Sequence, residues 1–301
     1  MVISPVTKKP NTIFKRSINC DDIIKSYLNH YDIDVRKYFS DLTSISIYEC
    51  LDTGYRFFYP LNVDGDSKFY EKLQEIKWYY MPWRWEHSKA ADFLNPNMSI
   101  LEIGSGHGGF LQKIKHQVRD CVGLELNEQS VNIGNQKNLK ILNQTIQDHS
   151  KYNKEAYDLI CTFQVLEHIQ EVNSFISAAL TCLKIGGKFV ICVPNNSSFI
   201  KYLDFDILNL PPHHMGLWND KSLKELTNVF SMETDKLFYE PLQDYHIDWY
   251  KSIMEDKYLK NNFIKFFYRK MKLNKLASLC IKGLRHLIKG QSVMAVFTKV
   301  Q

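Results

Sequence analysis

The 301-residue chain has no apolar run approaching the roughly 18 to 20 residues that a transmembrane helix needs, which excludes a helical membrane span. Its opening stretch, MVISPVTKKPNTIFKRS, lacks the apolar centre of a secretory signal, so the protein is expected in the cytoplasm. There is no C-x-x-C pair: the seven cysteines (Cys20, Cys50, Cys121, Cys161, Cys182, Cys192 and Cys280) are odd in number and widely spaced. That spacing leaves neither a disulfide framework nor a zinc knuckle, and the four in apolar runs read as reduced, buried side chains. Internal repeats, low-complexity tracts and Pro/Gly/Ser linkers are also missing. With 45% hydrophobic and 24% charged residues, what remains is an ordinary globular composition, long enough for a well-buried core.

Acidic residues are scarce in one place. From Lys251 to Lys289 eleven Lys and Arg face only Glu255 and Asp256, a local charge of +9 in a chain of net +5, so the remainder sums to −4. Apolar residues at 259, 263, 266, 267, 271, 276, 279, 281 and 287 are interleaved with the basic ones, as in a pair of amphipathic helices. Such helices suit an anionic bilayer surface; a helical cap with a solvated basic face fits the same pattern. No RNA-binding module accompanies the charge, so a nucleic-acid partner is not expected.

Residues 1–75 form a polar, aromatic-rich N-terminal module, and Ser67 to Phe93 read as helix, interrupted near Pro82. From Ser99 the pattern becomes short apolar strands alternating with amphipathic stretches, the mark of a parallel sheet covered by helices. Strands are expected at 99–104, 121–126, 140–144, 157–163, 187–194, 232–239 and 292–300, and a helix at 171–183 closing at Gly186-Gly187. The fold class is therefore α/β, a Rossmann-like seven-stranded sheet with helices on both faces. The core spans 76–240, a basic helical insertion 241–289, and the last core strand 290–301.

The sharpest motif is LEIGSGHGGF, residues 101–110, between a strand and a helix. Gly104, Gly106 and Gly108, with Ser105 between, allow a tight turn and close approach of a ligand to the backbone. Glu102 would repel a pyrophosphate but attract an ammonium or sulfonium group. Glu125 ends the next strand 21 residues after Gly104, where a carboxylate accepts hydrogen bonds from ribose hydroxyls.

On these residues the chain resembles the class I S-adenosylmethionine-dependent methyltransferases. The E-x-G-x-G-x-G element is Glu102, Gly104, Gly106 and Gly108, YDLICTFQVLEHI is similar to the fourth-strand motif, and LKIGGKFVICVPN to the fifth. The resemblance implies S-adenosylmethionine as cofactor and a last strand inserted antiparallel between its neighbours. It also implies that Gly104 to Gly109 line the amino acid end, Glu125 the ribose, and Gln164 and Val165 the outer side of the cofactor, with Leu126 as a further cofactor contact. QTIQDHSKYNKEAYD is similar to quinone-biosynthesis O-methyltransferases and would set Thr145 and Ile146 against the adenine. The D-P-P-Y or N-P-P-Y element of base-modifying amino methyltransferases is absent.

NLPPHHMGLW, residues 209–218, resembles a loop of methyltransferases from bacterial polysaccharide gene clusters. It implies His213 and His214 as general base and substrate contact; a capping pair is the plainer alternative, and no third metal ligand can be named. His168, in LEHI, reads first as a structural residue oriented beside Glu167, with a substrate contact as the alternative. Tyr79, Tyr80 and Trp85 offer aromatic faces to an acceptor, or simply pack their helix on the sheet. The N-terminal module resembles the zinc ribbon of sugar methyltransferases, but Thr53 stands where a second cysteine would be and Cys20 is isolated, so no zinc is expected. The function implied is O-methylation of a saccharide in a cell-surface glycan or glycolipid pathway, with a quinone or other small-molecule acceptor as the alternative, and possible contact of 251–289 with the membrane.

Overall fold

The computed structural model describes residues 1–76, 81, 83–203 and 205–301. The expectations for Tyr79 and Tyr80 lie outside the described residues.

The N-terminal module contains β1 (Thr12–Asn19), α1 (Cys20–Tyr31), β2 (Ser44–Cys50), β3 (Arg56–Tyr59) and α2 (Ser67–Gln74). Asn19 caps α1 by accepting from the Asp21 N–H, and Asp66 caps α2 by accepting from that of Phe69. The strands pair antiparallel as β1-β2-β3, and the module's own core includes Tyr27, Phe58 and Phe69. Cys20 and Cys50 are buried at the start of α1 and the end of β2.

The larger unit runs α3 (Trp85–Ala91), β4 (Ser99–Ile103), α4 (Gly109–Ile114), β5 (Asp120–Leu124), α5 (Glu128–Gln136), β6 (Ile141–Leu142), α6 (Ile146–Ser150), β7 (Tyr157–Phe163), α7 (Val172–Cys182) and β8 (Leu183–Pro194). A loop carrying the short β9 (Gly216–Leu217) follows, then α8 (Asp220–Lys224) and β10 (Met232–Pro241). The basic stretch folds as α9 (Ile247–Tyr258), α10 (Asn262–Lys270) and α11 (Leu273–Leu284), and β11 (Lys289–Lys299) closes the sheet. Its order is β10-β11-β8-β7-β4-β5-β6, with β11 antiparallel to both neighbours and the remaining pairs parallel. This is the seven-stranded arrangement expected from the sequence. β4 and β7 are near-continuous apolar runs because helices cover both faces.

Two local readings are corrected. Gly186 and Gly187 do not end a helix: α7 stops at Cys182 and Leu183 already pairs with Tyr157. The register then slips before Leu159 meets Lys188, and Gly186, at φ +77°, lies in that bulge. The N-terminal sheet takes its fourth strand, β9, from the loop after β8, so the module is not closed within residues 1–75. Gly216 is required there: a Cβ would lie 1.9 Å from the Tyr55 hydroxyl. Trp218, fully buried, packs on Tyr55 at 4.1 Å between ring centroids and donates its indole N–H to the Leu166 carbonyl. The loop is thereby tied to both the module and the carboxyl end of β7.

Candidate active site

Strand order reverses between β4 and β7, and a doubly wound sheet binds its ligand in the crevice at the carboxyl ends beside such a point. The glycine loop leaves β4 there. Gly104 and Ser105 donate their N–H groups to the Leu124 carbonyl at 2.8 and 3.0 Å, folding the loop over the end of β5. Gly104 has φ +77°, and a Cβ on it would stand 2.3 Å from a Val165 methyl. Gly106 and Gly108 are also left-handed, at φ +52° and +73°. The first loop residue thus needs glycine both for its backbone angle and for contact with the segment after β7.

Glu125 holds this loop from the side. Its carboxylate accepts from the N–H groups of Gly106 at 2.8 Å, Leu126 at 2.8 Å and Asn127 at 2.9 Å. About four lone-pair positions are available to a carboxylate, so capacity remains for a hydroxyl. Leu126 exposes 63% of its surface beside it, an apolar side chain at the rim. Glu102 is buried, and its Oε2 has no hydrogen-bond partner. Burial, and then the nearby Glu125, push its carboxyl well above the usual range. A cationic, hydroxyl-bearing group is what these features fit: an unpartnered buried carboxyl, a glycine cradle and an acid with spare acceptor capacity at the next strand end.

Other expected cofactor residues fall into different settings. Thr145 caps α6, accepting from the Asp148 N–H and donating to the Asp148 carboxylate. Ile146 is buried in the main core, and Ser105 is buried in the loop. Gln164 follows β7 at φ +54°, a strained angle for a residue with a side chain. It donates through Nε2 to the Ser292 hydroxyl at 3.3 Å. Trp85 is half-buried against the core.

Nothing in the sequence marks a buried acidic group around Arg84. Glu86 of α3, Glu167 after β7 and Glu240 at the end of β10 are all buried, with Arg84 close enough to act on each. Burial is the largest cause in every case: it raises Glu86, lifts Glu167 to about 8 and lifts Glu240 to about 7. Glu86 Oε1 and Glu167 Oε2 have no hydrogen-bond partner. Glu240 accepts from the Ser292 N–H at 3.0 Å.

His168, His213 and His214 come together, with ring centroids 4.4 to 4.9 Å apart. The third imidazole that sequence spacing did not supply is His168, brought in because Met215 donates its N–H to the Glu167 carbonyl at 2.7 Å. Burial, with mutual repulsion adding to it, keeps His213 and His214 well below the usual histidine range. Burial also lowers His168 to about 4, against the carbonyls of His213 and Gln164. All three are neutral at pH 7, and His213 and His214 are weak proton acceptors.

The profile of the methyltransferase-domain family matches residues 78–233, just over half of the chain. The chain belongs to that family, and family and fold imply S-adenosylmethionine as the cofactor. A ubiquinone biosynthesis O-methyltransferase of Vibrio atlanticus is 26% identical over 110 residues, covering 35% of this chain and 46% of that protein. Another so named, from Hydrogenovibrio crunogenus, is 27% identical over 127 residues, 38% of this chain and 52% of its own. The chain thus spans about half the length of the curated relatives it matches. Among solved structures, a SAM-dependent methyltransferase from Archaeoglobus fulgidus superposes with a TM-score of 0.53 at 17% identity, over 78% of this chain and all of its own, a likeness of fold.

Proposed function

We propose that the chain methylates a hydroxyl oxygen of a saccharide, using S-adenosylmethionine, at an anionic membrane surface. When bound, the cofactor supplies a methyl group activated by its sulfonium. The glycine loop and Glu102 would hold its amino acid end, Glu125 the ribose, Leu126 with Thr145 and Ile146 the adenine, and Gln164 and Val165 its outer side.

The observation that carries the acceptor class is the buried carboxyl group of Glu86, Glu167 and Glu240 with Arg84. Buried carboxyl oxygens without a hydrogen-bond partner, such as Glu86 Oε1, penalise an acceptor that cannot hydrogen-bond to them, which favours a polyhydroxylated ring. Glu240, at about pKa 7, is matched to taking the hydroxyl proton as the methyl transfers. A phenolic acceptor is the second reading, favoured by the two relatives named for ubiquinone biosynthesis. The discriminating assay supplies labelled S-adenosylmethionine with sugar nucleotides and lipid-linked glycans in one set and catechol-like phenols in the other. Transfer to phenols alone would reverse the assignment.

The membrane part rests on α10 and α11. Among the described residues no helix is long and apolar enough to cross a bilayer. Yet Phe263 and Leu279 each expose 68% of their surface, Phe266, Met271 and Leu276 are exposed too, and Lys260, Lys270, Lys272, Lys275 and Lys282 lie exposed among them. Exposed aromatics ringed by lysines match the acyl and headgroup layers of an anionic leaflet.

A further inference from the structure

The three-histidine cluster between the β7 and β9 loops has the construction of a metal site. His213 places Nδ1 2.8 Å from the Leu208 carbonyl, and His168 places Nδ1 2.5 Å from the His213 carbonyl. A carbonyl only accepts, so both Nδ1 atoms carry the proton. For His214 the partner is Asn209 Oδ1 at 3.0 Å, and a chain of bonds fixes which amide atom that is. Asn196 Nδ2 donates to the Trp218 carbonyl at 3.0 Å, so Asn196 Oδ1 is the acceptor of the Asn209 Nδ2 donor at 2.7 Å. Asn209 Oδ1 is left facing His214, whose Nδ1 must therefore be protonated as well.

With Nδ1 held on an oxygen in each ring, Nε2 is the nitrogen that can turn to a metal, the arrangement in which histidine ligates while its other nitrogen is anchored. One ring nitrogen of each histidine lies within 4.8 Å of one from each of the other two. Tetrahedral zinc, with bonds near 2.0 to 2.1 Å, needs nitrogens about 3.4 Å apart.

We propose that His168, His213 and His214 bind a divalent transition-metal ion of the zinc type, leaving a fourth position for water. Three imidazoles favour such an ion over magnesium or calcium, which prefer all-oxygen shells. The ion would pin the segment after β7 to the loop carrying β9. The assignment does not depend on the identity of the methyl acceptor.

The test uses the full chain, stripped with a chelator and dialysed. Titration with Zn2+ in a calorimeter should show one equivalent bound, and Co2+ in its place should give the intense visible absorption of a tetrahedral site. Zn2+ should also raise the melting temperature of the stripped protein. H168Q and H214Q should each weaken Zn2+ binding by about a hundredfold or more. Both should bind S-adenosylhomocysteine as the parent does, which certifies that they are folded. Wild-type protein that takes up no stoichiometric Zn2+, or gives only the pale spectrum of six-coordinate Co2+, overturns the proposal whether or not the variants fold. So does undiminished binding in both folded variants.

Discussion

At the scale of single residues, the cofactor loop depends on side chains it lacks as much as on those it has. Gly104→Ala introduces a methyl group both against Val165 and at a left-handed backbone angle. We expect it to lower affinity for S-adenosylhomocysteine at least tenfold in a calorimetric titration. Adding Val165→Ala should recover part of the loss, since it removes the clash but leaves the backbone strain. Glu125→Ala removes the group that accepts from three backbone N–H donors as well as the proposed ribose contact. The same titration should show a loss of about 1.5 to 3 kcal/mol, and unchanged affinity would exclude Glu125 from the cofactor site. Both residues were legible in the sequence because their chemistry is local: glycine spacing and an acid at the next strand end carry their meaning within 25 residues. Glu86 and Glu240 were not legible, since nothing near either in the chain marks an acid as buried; the sheet closure that brings them near Arg84 does. His168 was read as an isolated, oriented histidine for the same reason, its two partners lying more than 40 residues away.

At the scale of elements, alternating apolar runs located the strands of the large sheet to within a few residues, because strands covered on both faces leave a strong hydrophobic signal. The short β9 was illegible: two residues, Gly216 and Leu217, carry no period, and only pairing with Arg56 and Phe57 makes them a strand. The basic helices were visible in composition, and the structure adds that their aromatics point outward. Replacing Phe263, Phe266 and Phe267 together with serine should abolish co-sedimentation with phosphatidylserine or phosphatidylglycerol vesicles. Because these side chains are exposed, the melting temperature should change little. Equal binding of the parent to neutral phosphatidylcholine vesicles would contradict the role given to the lysines.

At the scale of the molecule, buried titratable groups of both kinds set the pH response. Glu240 holds its proton up to about pH 7 in the folded state and, once unfolded, gives it up near 4.3, so its contribution to stability falls as pH rises between those values. Glu86, raised in the same way, adds to that fall. His87 and His246, both lowered to about 4 mainly by burial, act oppositely: unfolding lets them take a proton below about pH 6.5, so stability is lost as pH drops from there towards 4. Thermal melts at constant ionic strength should therefore decline from pH 6.5 to 7.5, and Glu240→Gln should flatten that limb and steepen the acid one, where Glu240 opposes the histidines. A wild-type curve that rises through this interval would contradict the burial assigned to Glu240.

The position of β11 also dictates an order of assembly. It lies between β8 and β10, yet the ribosome makes it after both and after the three basic helices that link it to β10. Until it emerges, β8 has an open edge and β10 has no partner in the large sheet, while α10, with its outward aromatics, and α11 are already complete. A nascent chain thus passes through a stage in which an unpaired strand edge and a sticky basic surface coexist, the combination that favours aggregation or capture by a chaperone. The sheet becomes continuous only when its last-made strand enters its interior.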